Sequence, residues 1–229
     1  MRRRPSWLGY ALLVAQKDLA IELATGEIVT TSGFFAVLVA VVASLAFYAG
    51  PGASVQVAPG VIWVAVAFAS VLALSRTWQR EREDGALYAL LVSPAPRSAI
   101  FAGKAIGVAA FVLVIQAIVV PVTALLFGID LGKHGPLLAV LCVGATPGIA
   151  AVGTLFGAMT VRTRARDLVL ASVLFPFLSP TLLAGVAGTR ELLGGAPMVE
   201  MFDYLELMGI FGAVFVAAGL GLFGTLIEG

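Results

Sequence analysis

Charge is scarce in this chain. Lys and Arg together number 14 and Asp and Glu 13, 12% of 229 residues, against 60% hydrophobic residues. That is too little polar surface for a soluble domain of this length, so the composition predicts an integral membrane protein. The net charge of +1 gives no reason to expect a nucleic-acid partner. The single cysteine, Cys142, excludes an internal disulfide and a cysteine-based metal site, and its apolar neighbours predict a small core residue. The single histidine, His134, stands beside Lys133 and near Asp130 in what reads as a short outer loop, which suits a solvated residue better than a metal or haem ligand.

Catalytic motifs are missing as well. No G-x-x-x-x-G-K-[ST] phosphate loop occurs, and the nearest string, "GIDLGKH" at 128–134, has the wrong spacing. The chain is therefore not expected to hydrolyse ATP by itself. H-E-x-x-H, G-x-S-x-G and C-x-x-C-H are absent too, which removes the metallopeptidase, serine-hydrolase and covalent-haem readings. The start, "MRRRPSWLGYALLVAQKDLAIELA", is basic, but Lys17, Asp18 and Glu22 interrupt it and no small-residue cleavage site follows. A retained segment is expected there, not a cleaved signal.

A helix crosses the hydrocarbon with about 20 apolar residues. Six windows qualify: Val29–Ala49, Ala58–Leu74, Ile100–Phe127, Pro136–Val161, Leu168–Val186 and Leu207–Ile227. The expectation is an all-α membrane protein of six transmembrane helices, with residues 1–28 as a separate N-terminal segment and 29–229 as the transmembrane domain. In the N-terminal segment Leu8, Leu12, Leu19 and Leu23 share one face, which predicts a helix in the membrane interface. The other reading is a helix packed against the bundle.

Twelve of the basic residues precede span one or lie in the second and fourth connections, and only Lys133 and Arg190 fall on the opposite side. The positive-inside rule then makes both termini cytoplasmic. Glu191, Glu200 and Asp203 fall in a final external loop long enough for a short surface helix. Within the spans no paired ionisable residues stand out, which argues against an ion path or proton relay. Gln116 is expected to hydrogen-bond a neighbouring helix. Pro147, Pro176 and Pro180 are expected to kink theirs, and Gly144, Gly148, Gly153 and Gly157 predict close packing, within the chain or with another subunit.

A bundle without a catalyst or ion path is expected to transmit movement supplied from outside, so its cytoplasmic segments are candidate docking surfaces. The connection 76–97 is the most distinctive. Arg80 to Asp84 are charged throughout, Asp84 can cap a helix, Glu83 suits its positive end, and Ser93-Pro94 and Pro96 stop it. Leu87, Leu90 and Leu91 fall on one face, with Tyr88 and Val92 alongside, more apolar side chain than a solvated loop needs. Either this helix extends the third span into lipid, or it fits a groove on a cytoplasmic partner. The second case resembles the coupling helix of an ABC transporter permease.

"Glu83-Asp84-Gly85-Ala86-Leu87" followed by "Leu90-Leu91-Val92-Ser93-Pro94" resembles the E-D-G-x-L-x-x-L-L-x-S-P signature of the haem exporter protein B family (CcmB). That family supplies the permease subunit of the cytochrome c maturation ABC system. Segments 58–76, 144–167 and 174–180 and Lys104 lie in register with it, while Tyr88 stands where an acidic residue is expected. The resemblance implies an ABC-2-type permease-like fold in a bacterial inner membrane. It implies three kinds of partner besides the lipid bilayer: an ATPase dimer, a haem-handling membrane subunit and a small membrane subunit. It places energy coupling on Glu83, Asp84, Gly85, Leu87, Tyr88, Leu90, Leu91, Ser93 and Pro94. ATP and haem are then handled by the partners, and the chain itself holds no cofactor and serves release of a haem-loaded chaperone. Two other functions stay open on the residues alone: an exporter permease for a lipid, drug or polymer, and a scaffold that receives no ATPase motion.

Overall fold

The computed structural model describes residues 5–47, 53–83, 89, 92–160 and 166–228. Among these there are seven long helices and no strand: α1 (Trp7–Thr25), α2 (Glu27–Ala46), α3 (Ala53–Glu83), α4 (Arg97–Phe127), α5 (Leu131–Thr160), α6 (Arg166–Gly194) and α7 (Met198–Glu228). The last six are each long and apolar enough to cross a membrane. The six-span expectation holds, and most boundaries move outward, although α2 ends at Ala46, short of the predicted Ala49. α4 has 31 residues, about 46 Å at 1.5 Å per residue, against roughly 30 Å of hydrocarbon.

Two predicted outer loops shrink to turns. The α4–α5 connection is only Gly128–Asp130, with Gly128 in the left-handed region at φ 72°. Asp130 Oδ1 then accepts from the backbone N–H of Gly132 and Lys133 at 2.8 and 3.3 Å, capping α5. Lys133 and His134 are therefore first-turn helix residues and not loop residues. The final outer loop is likewise reduced to Gly195–Pro197. Arg190 and Glu191 end α6, and Glu200 and Asp203 begin α7, so no separate surface helix forms. The apolar windows stop where charges begin, but a helix need not, because its i to i−4 backbone bonds are internal and do not depend on what its side chains meet.

The prolines are accommodated inside helices: Pro59 in α3, Pro121 in α4, Pro136 and Pro147 in α5, Pro176 and Pro180 in α6. The glycines singled out in α5 act within the chain. A Cβ on Gly153 would lie 2.4 Å from Leu74 Cδ1, and one on Gly157 2.0 Å from Trp78 Nε1, so α3 seats two large side chains on α5. Gly144 faces Leu205, and Gly148 meets Gly212, which lets α5 and α7 approach closely. α6 receives Trp63 of α3 on Gly185, and the indole N–H donates to Thr189 Oγ1 at 2.9 Å. Around these contacts lies one large apolar core containing Trp63, Leu74, Phe111, Ile115, Leu141 and Leu178, with a smaller cluster around Trp78, Phe101 and Phe223.

α1 and α2 meet at Gly26, φ 62°, which ends one helix and starts the other. α1 runs alongside the first half of α4, in the same direction. Trp7 Nε1 donates to Ser98 Oγ at 2.9 Å, Ala11 and Val14 sit on Gly103, and Asp18 lies against Gly107. Its buried stripe is Ala11, Val14, Ala15, Asp18 and Glu22, while Leu8, Leu12 and Leu23 point outward. Three of the four predicted leucines thus point away from the bundle, Leu19 is partly buried against the core, and the neighbouring face of α1 packs on α4.

Candidate functional site

The connection singled out in the sequence leaves α3 at Glu83 and re-enters the bundle at Arg97. Asp84, Gly85, Leu87, Tyr88, Leu90 and Leu91 lie outside the described residues. At its near edge Glu83 is the last residue of α3. At its far edge Ala89 and Val92 are helical, and Ser93 N–H donates to Ala89 O at 3.1 Å in the i to i−4 pattern. The chain then bends through Ser93, Pro94 and Ala95, Ser93 Oγ accepting from Ala95 N–H at 3.4 Å. Val92 is 86% exposed. The Ser-Pro stop therefore acts where the sequence placed it.

What anchors the two roots of this connection is a buried lattice of charges. Lys104, about two turns into α4, is 2% exposed. Its ammonium donates to Asp18 Oδ2 and Oδ1 of α1 at 2.8 and 3.0 Å and to Glu81 Oε1 of α3. Lys17 of α1 reaches the same Glu81 oxygen at 2.5 Å and its neighbour Asp18 at 3.2 Å. One turn deeper, Arg80 of α3 pairs with Glu22 of α1 at 3.3 Å and with Glu27 of α2 at 2.8 Å, and donates to Thr25 Oγ1 at 2.9 Å. Arg76 approaches Glu27 at 3.8 Å. Glu22 also accepts from the backbone N–H of Val29 at 2.8 Å, tying the start of α2.

Four cations and four anions thus balance across α1, α2, α3 and α4. Balance is what makes such burial tolerable, since each charge removed from water costs several kcal/mol unless paired and hydrogen-bonded. Burial works against the charge on Lys17, but Asp18 and Glu81 outweigh it and raise its pKa above the ordinary lysine value. Lys104 also stands 6.0 Å from the centre of the Trp78 ring. A cavity of about 70 Å³ adjoins Lys17, Asp18, Arg80, Glu81 and Lys104. With every carboxylate committed to a lysine or arginine, the lattice is not built to take up a free cation. It can hold α1 and α2 to the α3–α4 pair.

This lattice corrects the expectation that paired ionisable residues are missing from the bundle. Lys104 lies inside the third predicted window, and a lone lysine in an apolar helix requires partners. Asp18 and Glu22, spaced four apart on one face of α1, were the available signal. Gln116 fares as expected: Thr146 Oγ1 of α5 lies 3.2 Å from its Oε1, both residues buried.

Among curated proteins, the chain is 31% identical over 198 residues to Heme exporter protein B of Paracoccus denitrificans, covering 83% of this chain and 87% of that protein. It is 26% identical over 190 residues to Heme exporter protein B of Pseudomonas aeruginosa, covering 82% and 83%. For the protein of that name from Bradyrhizobium diazoefficiens the identity is 28% over 189 residues, covering 81% and 82%. The model of the CcmB protein family matches residues 10–223, from within α1 almost to the end of α7, and the chain belongs to that family.

Proposed function

We propose that this chain is the membrane-embedded permease subunit of an ABC system that handles haem for c-type cytochrome assembly, and that it receives movement from a separate ATPase through residues 83–94. The observation that carries the reading is family membership together with relatives named Heme exporter protein B over most of both chains. The absence of a phosphate loop from the full sequence supports an outside source of ATP-derived movement. The connection's two roots, at Glu81 and Lys104, are fixed to each other by a buried ion pair, which suits a segment that must pass displacement into the bundle and not dissipate it.

In this reading the protein sits in a bacterial inner membrane with both termini cytoplasmic, as the distribution of its basic residues suggests. Leu87, Leu90 and Leu91 enter an apolar groove on the ATPase dimer, and Glu83, Asp84 and Tyr88 set the register. Gly85 permits the turn into the helix, and Ser93 and Pro94 end it. Haem and ATP are handled by the partners, including a haem-handling membrane subunit and a small membrane subunit, and this chain supplies no haem ligand.

The test is a deletion strain complemented with Leu87→Glu or Leu90→Glu. Deletion should abolish covalently haem-bound c-type cytochromes, and normal levels would remove the haem assignment. Each variant should insert normally yet lose the ATPase on detergent pull-down. Undiminished co-purification would place those leucines in lipid instead.

A further inference from the structure

α1 is attached to the bundle in an unusual way. None of its buried residues belongs to either apolar cluster; only Leu19 and Tyr10, partly buried, touch them. It packs along one helix, α4, closely and through small residues, with Ala11, Val14 and Ala15 buried around Gly103 and Asp18 against Gly107, beside the Trp7–Ser98 hydrogen bond and the Asp18–Lys104 pair. Its outward face carries Leu8, Leu12 and Leu23, at 65, 52 and 88% exposure, which lipid accommodates wherever the helix lies. A helix that packs along a single neighbour and adds no buried residue to the shared cores can part from that neighbour without opening them.

The charges divide along the same seam. If α1 leaves, it retains Lys17 beside Asp18, 3.2 Å apart, and the bundle retains Lys104 beside Glu81. Within this four-residue set each half is electroneutral, so its separation strands no unpaired charge as long as Glu22 keeps Arg80. Glu22 stays at the pivot, held by Val29 N–H and Arg80 next to Gly26. Gly26 adopts φ 62°, which glycine tolerates better than other residues. We propose that α1 is a separable arm, docked on the α3–α4 pair by the Lys17–Asp18–Glu81–Lys104 lattice and able to swing about Gly26. The inference does not depend on which partner meets residues 83–94, although Glu81 and Lys104 would let that segment sense whether the arm is docked.

The test uses the full chain in lipid nanodiscs with Cys142→Ala as background. Spin labels go on Leu8→Cys and Leu125→Cys to follow α1, and on Leu125→Cys and Leu222→Cys to follow the bundle. The parent should give one α1 distance. Lys17→Gln/Asp18→Asn, which removes one neutral half, should accumulate like the parent and show a second α1 distance with the α4–α7 distance unchanged. Asp18→Asn alone, which strands a positive charge, should accumulate much less. Failure of the double variant to accumulate would overturn the neutral-halves idea. So would an α1 distance that stays single, or an α4–α7 distance that broadens with it.

Discussion

Lys104 carries the heaviest consequence of any single side chain here. Its ammonium serves both Asp18 and Glu81 while 2% exposed, so Lys104→Met leaves two buried carboxylates with only Lys17 between them. Breaking one side of a buried ion pair costs about 3–5 kcal/mol. Lys104→Met should therefore lower the melting temperature in detergent sharply, whereas removing the outer Arg76–Glu27 contact by Arg76→Gln should change it little, because water screens an exposed pair. Equal losses from the two variants would refute the ranking. Lys17 gives a pH signature. Its pKa is raised, so its contribution is complete below the ordinary lysine value of 10.5 and disappears as pH climbs through the raised one. The melting-temperature gap between the parent and Lys17→Gln should stay constant through neutral pH and close only in strong alkali. A gap that narrows between neutral and mildly alkaline pH would count against the pairing.

At the scale of elements, α3 docks its largest side chains on its neighbours, and glycine is how they receive it. Trp63, Leu74 and Trp78 each lie on a glycine, two on α5 and one on α6. Gly157→Ala puts a methyl group against the Trp78 indole and should destabilise by about 1–3 kcal/mol, the usual range for overpacking. Gly60→Ala, where nothing lies within 4 Å, should be neutral or gain up to about 1 kcal/mol from helix propensity. Thermal melts of the two variants decide this, and similar values would mean that the glycines serve propensity and not packing. The sequence announced close approach through the spacing of Gly144, Gly148, Gly153 and Gly157. Which large residue sits on which glycine depends on helix rotation, and helices apolar on nearly every side leave that unspecified. The stop at Ser93-Pro94 was legible for the opposite reason, since a serine–proline pair acts locally.

For the whole molecule, six spans were legible because hydropathy counts what lipid demands of a helix. The charge lattice was not, because hydropathy averages a lone lysine into its apolar window, and only contact between α1, α3 and α4 gives Lys104 its partners. The same contacts place the lattice, the start of α4 and the end of α7 at one end of the bundle, where Gly224 meets Arg97. If that end is cytoplasmic, a cysteine at Ala86 in a Cys142→Ala background should resist a membrane-impermeant thiol reagent in intact cells and react once the membrane is opened. Labelling in intact cells would reverse the topology and remove the docking proposal with it.

The opposite end of the bundle is closed by turns as short as Gly128–Asp130 and Gly195–Pro197. Such turns offer a protease little to cut and an antibody little to hold. A protein meeting the chain from that side would find, among the described residues, two tight turns and no folded loop between them, and would have to bring its own water-soluble reach.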